Sequence, residues 1–255
     1  MKARAPRRGS LHGARLAILV VAALASGTLV FAQDYRAALG PAYEKALDHA
    51  FAHATAWREE LGKYGADIEA LIPVIFPELV RYSLFRDELE TAGLAGLYVP
   101  GGAGAADFSI GRFQMKPSFA ERVEEGLAAE DPVPSAFASL AAFAGGQDGT
   151  HGRAMRIDRL RDERWQLCYL AAFAHLVETR LPLGGLDTAD KVVFLAAAYN
   201  RGFWLPREEI ERSKTWRLFP ARLPVFGQGP FGYADVAVDF YERYWREMIL
   251  TSLWT

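Results

Sequence analysis

A chain of 255 residues, half of them apolar and about a quarter charged, is long enough to bury a core and has ordinary globular composition. It holds no low-complexity tract, heptad or collagen period, or internal repeat, which excludes fibrous and solenoid architectures. The 29 basic residues include five in the N-terminal leader; setting these aside leaves 24 against 31 acidic residues, a charge of about −7 that argues against nucleic acid as the partner.

The leader comes first. Lys2, Arg4, Arg7, Arg8 and Arg15 form a basic stretch without one acid, followed by an apolar run from Leu16 to Ala25 that continues, diluted, to Ala32. Val30 and Ala32 suit the −3 and −1 positions of a signal-peptidase site. The pattern predicts a secretory signal peptide over 1–32 and an exported chain, periplasmic or extracellular, beginning at Gln33. An uncleaved anchor is the rival reading, although Ser26, Gly27 and Thr28 interrupt a run already at the short limit for a membrane span. The single cysteine, Cys168, excludes an internal disulfide and lies among core-forming neighbours.

Helical spacing dominates the remainder, 33–255, which reads as a single all-α domain. Tyr35 to Tyr64 carries Ala, Leu, Phe and Trp at three- and four-residue intervals, and Asp67 to Leu79 is compact and apolar. Ala92 to Asp107, rich in Gly and Ala, reads as a loop, with any sheet limited to a small hairpin over 92–110. Ser118 and Glu121 form a capping-box pair that opens a helix to about Gly126. Residues 128–150 read as a surface loop. Arg156 to Leu181 is the longest helical pattern; Asp187 or Thr188 caps the next helix, which Gly202 stops. A short helix follows Pro206, and a last one spans about Tyr233 to Leu250.

Two segments suggest chemistry. In Ser109-Ile-Gly-Arg-Phe-Gln-Met-Lys-Pro-Ser118, Gly111 permits close backbone approach and Gln114 offers donor and acceptor groups before a new helix. In Ala197-Ala-Tyr-Asn-Arg-Gly202, Tyr199 and Asn200 stand at a helix end, where side chains can turn into a cleft. Such groups suit a ligand rich in hydroxyls and acetamides. Each also has a plainer reading: Tyr199 as a core tyrosine with a bonded hydroxyl, Gln114 as a turn residue.

These segments resemble the lytic transglycosylases of the lysozyme-like superfamily, whose pattern is a helix carrying a catalytic Glu, a Gly-Leu-Met-Gln-like turn and Ala-Tyr-Asn-x-Gly. Gly111-Arg-Phe-Gln114 stands for the turn, and Ala198-Tyr199-Asn200-Arg201-Gly202 matches the last motif directly. For the usual Glu-Ser the candidate is Glu78, at the end of the apolar helix in Phe76-Pro-Glu-Leu-Val-Arg-Tyr-Ser83, with Leu79 in place of Ser. The 36 residues from Glu78 to Gln114 imply an inserted loop. The resemblance spans roughly Ile68 to Gly202 and implies a peptidoglycan glycan-strand lyase without metal or cofactor. In it Glu78 is catalytic, and Gln114, Tyr199 and Asn200 bind sugar.

The alternatives are a hydrolytic muramidase, for which Asp87 or Asp107 is the candidate second acid, and a glycan-binding scaffold protein without catalysis. Glu88 and Glu90 rank second to Glu78 as the acid, because their charged neighbours suggest an exposed face. His49 and His53 stand one helical turn apart but show no third ligand in sequence, and read as a surface pair. No nucleophile elbow or phosphate-binding Gly-Lys-Ser/Thr turn is present.

Overall fold

The computed structural model describes residues 33–84, 88–144, 149–220 and 230–252. The leader expected over 1–32 lies outside the described residues. Tyr35–Thr255 clusters as one compact unit, and it is all-α.

Gly40, at φ 55° and ψ −133°, splits the first helical pattern into α1 (Tyr35–Leu39) and α2 (Pro41–Gly62). That backbone suits glycine, and Pro41 then opens α2 with its φ already set. At 22 residues α2 is longer than either helix of the 156–181 stretch that was expected to be longest. Asp67 starts α3 (Ile68–Leu84) by accepting from the Glu69 and Ala70 amides at 3.0 and 3.3 Å. Every residue from Ala70 to Val80 is buried, because a helix apolar on all sides belongs inside. It packs against α2, α9 (Thr188–Arg201) and α11 (Tyr233–Phe240). Phe76 stacks on Phe240 at 3.8 Å between ring centroids and meets Tyr43 edge-on at 4.9 Å.

The stretch expected to be a loop, Ala92 to Asp107, is helical up to Gly101 as the end of α4 (Glu88–Gly101), and only 102–107 is loop. Gly93 and Gly96 weaken this helix locally, by about 1 kcal/mol each relative to Ala. Tertiary contacts offset that: Tyr98 is fully buried, and Arg153 donates to the Val99 and Pro100 carbonyls at 2.7 and 3.1 Å, closing the helix end. The inserted loop implied between Glu78 and Gln114 is therefore largely helical. Among the described residues strand pairing is confined to an Ile110–Met115 bridge, at the edge of the expected 92–110 hairpin region, and to β1 (Arg217–Phe219) antiparallel to β2 (Phe231–Gly232).

The expected capping box does not form. Lys116 is the N-cap of α5 (Pro117–Ala128), and Asp107 accepts from the Ser118 amide and hydroxyl at 3.1 and 2.8 Å. Glu121 instead accepts from the Tyr98 hydroxyl. The 128–150 stretch is also more ordered than expected. A 3₁₀ turn (Ser135–Phe137) leads into α6 (Ala138–Ala144), burying Phe137, Leu140 and Phe143 at helical spacing.

The 156–181 pattern breaks at Asp162 into α7 (Thr150–Arg161) and α8 (Glu163–Arg180); extended Asp162 caps α8 by accepting from the Arg164 amide. Cys168 is buried on α8, as expected. Asp187 caps α9 and Gly202, at φ 128°, ends it; α10 (Arg207–Ser213) follows Pro206. The last helix comprises α11, a π-helical turn (Tyr241–Trp245) and α12 (Arg246–Ser252). Tyr241 bonds Glu69 and Trp245 bonds the Ile68 carbonyl, so this helix is docked on the start of α3.

Candidate functional site

Glu78 sits inside α3, not at its end, because the helix runs on to Leu84. It is 4% exposed. Arg81, one turn later on the same face, donates through Nη1 to both Glu78 carboxylate oxygens at 2.7 and 2.8 Å. The Arg81 guanidinium also lies over the Phe219 and Tyr233 rings, 5.3 and 5.8 Å from their centroids.

The second segment folds as a tight turn. Gly111, at φ 67°, leaves no room for a side chain: a Cβ there would stand 2.6 Å from Gln166 Nε2 and 2.7 Å from the Leu160 carbonyl. Buried Gln166 clamps the turn from α8. Its amide donates to the Ile110 carbonyl at 2.7 Å, and its Oε1 accepts from the Phe113 amide at 3.3 Å. Gln114 adopts a left-handed backbone, φ 51°, and its side-chain amide donates to the Gly111 carbonyl at 2.9 Å. A non-glycine residue held there is a strained position that its surroundings maintain.

The third segment reaches the second. The Tyr199 hydroxyl donates to the Phe113 carbonyl at 2.8 Å, so its proton serves the turn. Burial, then the charge of Glu78, push the Tyr199 hydroxyl well above the ordinary tyrosine range. The same two causes act, in the same order, on Tyr233, whose hydroxyl donates to the Val74 carbonyl at 3.0 Å. Asn200 is exposed at the end of α9.

Glu78, Gln114, Tyr199 and Asn200 thus come from three distant segments and line one open recess of about 430 Å³. Its remaining wall includes Arg81, Asp107, Ser109 and the exposed rings of Trp204 and Trp216. Asp107, one candidate second acid, is occupied in capping α5. Asp87, the other, lies outside the described residues, as do the side chains of Glu88 and Glu90.

Sequence reasoning missed Arg81, Gln166, Tyr233 and the two tryptophans. Only Arg81 carried a local signal, its three-residue spacing from Glu78. The histidine pair also differs from expectation: His49 and His53 are partly buried, and the fold brings Glu163 to them. The chain matches no family model, no curated protein and no solved structure.

Proposed function

We propose that the recess binds peptidoglycan glycan strands and that the protein is a lytic transglycosylase of lysozyme-like type. The observation that carries this reading is the convergence of Glu78, Gln114, Tyr199 and Asn200 on one open recess. A buried carboxyl beside amide groups and exposed indole rings suits a sugar chain. The amides meet hydroxyls and acetamides, the rings meet apolar sugar faces, and the carboxyl is the proton carrier.

In this mechanism Glu78 gives its proton to the glycosidic oxygen between N-acetylmuramic acid and N-acetylglucosamine. The C1–O bond breaks and the N-acetylglucosamine end leaves as an alcohol. Glu78, now a carboxylate, takes the proton from the muramic 6-hydroxyl as that oxygen bonds C1. The product is a 1,6-anhydro ring, no water is consumed, and the carboxyl ends protonated as it began. One carboxyl serves both halves, so the second acid of ordinary glycosidases is not required. The Arg81–Glu78 pair must open before Glu78 can hold and donate a proton. Substrate entering beside Arg81 supplies the occasion.

That same pair favours a second reading, a glycan-binding scaffold protein in which Arg81 keeps Glu78 out of the chemistry. Mass spectrometry of purified sacculi after incubation with the protein separates the readings. Anhydromuramic ends are the expected result. Reducing ends would indicate a hydrolytic muramidase, and sacculus binding without cleavage would indicate the scaffold.

A further inference from the structure

We infer that His49, His53 and Glu163 form a binding site for a borderline divalent transition ion, best suited to Zn²⁺, that joins α2 to α8. The inference is independent of the glycan reading, because α2 and α8 contribute no residue to the recess that holds Glu78.

The donor set is the first argument. His49 and His53 are four residues apart on α2, so they share a face, with ring centroids 4.0 Å apart. Glu163 opens α8, 114 residues beyond His49. One ligand atom from each lies within 4.8 Å of the other two. Two imidazoles and a carboxylate are the ligand types that Zn²⁺ takes.

Geometry is the second. The His49 Nε2 to Glu163 Oε2 distance is 3.3 Å. A charge-assisted hydrogen bond is shorter, about 2.7–2.9 Å. Ligands at about 2.0–2.1 Å from a tetrahedral ion stand about 3.3 Å apart, which is the spacing seen. The partners behind the ligands are also in place. His53 Nδ1 lies 2.8 Å from the His49 carbonyl, and a carbonyl can only accept, so Nδ1 donates there and Nε2 is the nitrogen left to ligate an ion. Trp57 Nε1 donates to Glu163 Oε1 at 2.7 Å, which leaves Oε2 turned to the histidines.

Access is the third. A recess of about 450 Å³ opens beside His53, Trp57 and Glu163, with room for a water as fourth ligand. The competing cation is Arg112, whose Nε lies 3.7 Å from Glu163 Oε2. Its side chain is 45% exposed and rests over the Tyr82 ring, so it can swing aside without leaving a buried cation.

The test is titration of the tag-free, chelator-stripped full chain with Zn²⁺ by calorimetry, and with Co²⁺ by visible absorption. One saturable equivalent is expected, with the intense visible bands of four-coordinate Co²⁺ and a rise in melting temperature. His53→Gln and Glu163→Gln should each weaken binding by about tenfold or more, whereas His175→Ala, on the remote Glu130 pair, should not. Circular dichroism of each variant verifies its fold, and the wild-type titration stands even if a variant fails to fold. Absence of a saturable equivalent in the folded wild type overturns the site. So does binding that survives His53→Gln or is lost in His175→Ala.

Discussion

Among the described residues two Glu–Arg pairs lie largely out of solvent, and they are built to opposite standards. In the first, Glu124 on α5 and Arg156 on α7 are each 1% exposed, and their polar atoms are amply partnered. Arg156 donates to both Glu124 oxygens, to the Tyr98 hydroxyl and to Glu121, while Tyr169 donates to Glu124. In the second, Arg81 bonds Glu78 through one nitrogen, and its buried Nε has no hydrogen-bond partner among the described residues. This pair faces the open recess. A sealed, satisfied pair specifies packing; a pair at an opening whose guanidinium keeps one buried N–H without a hydrogen-bond partner is the less settled of the two.

The largest expected effect falls on the second pair. Glu78→Gln removes the titrating proton, and sacculus cleavage should drop about 10²–10⁴-fold, because general acid–base catalysis contributes that much. The variant also strips Arg81 of its counterion. Its melting temperature should therefore be read beside Glu78→Gln/Arg81→Met, which restores neutrality. Undiminished cleavage by a folded Glu78→Gln protein would remove the single-carboxyl mechanism.

Next in size is Arg156→Met. Leaving Glu124 charged and sealed should cost about 3–5 kcal/mol in denaturant unfolding, and Glu124→Leu added to it should recover most of the loss. The deficit should depend on pH. Burial raises the Glu124 carboxyl above its ordinary 4.5, although Arg156 and Tyr169 pull it down. Burial lowers Arg156, yet the hydrogen bonds and charge of Glu124 raise it overall. A carboxyl raised by folding adds stability that is fully present below 4.5 and is lost as pH rises through its folded-state value. Arg156→Met removes a lowering partner, so its deficit against wild type should be smaller at about pH 5 than at about pH 8. A deficit that grows on acidification would refute this.

The smallest effect should come from Arg81→Met. The pair borders the recess, where water can replace the lost partner, so about 1–3 kcal/mol is expected. Double-mutant cycles sharpen the contrast: the Glu124–Arg156 coupling energy should exceed that of Glu78–Arg81. Equal couplings would mean the two pairs serve the same structural purpose.

The same contrast explains what could be read from the chain. Asp187, Gly202 and Pro206 act within a few residues of themselves, so the ends of α9 and the start of α10 were visible locally. Glu78, Gln114, Tyr199 and Asn200 stand out in the sequence because each sits in a short motif-like segment, and the fold brings the four to one recess. Helix α4 does not stand out, because its stability comes from Arg153 and buried Tyr98, which outweigh two glycines. Ser118 and Glu121 looked like mutual partners until Asp107 and Tyr98 supplied better ones. Gln166 gave no local signal at all, since its role depends on the turn at Gly111 lying against α8. Glu163 likewise becomes a neighbour of His49 only when α2 and α8 pack.

Cys168 has a consequence of a different kind. It is the only thiol in the chain and is buried on α8, and burial raises it above the usual thiol range against the hydrogen bond from Tyr64. The thiolate is the reactive form, so burial and the raised thiol both disfavour disulfide exchange and alkylation at this position in the folded protein. The thiol is instead a built-in gauge of opening: a maleimide or disulfide dye reports on a molecule only while α8 is exposed, and its labelling rate times the breathing of the core.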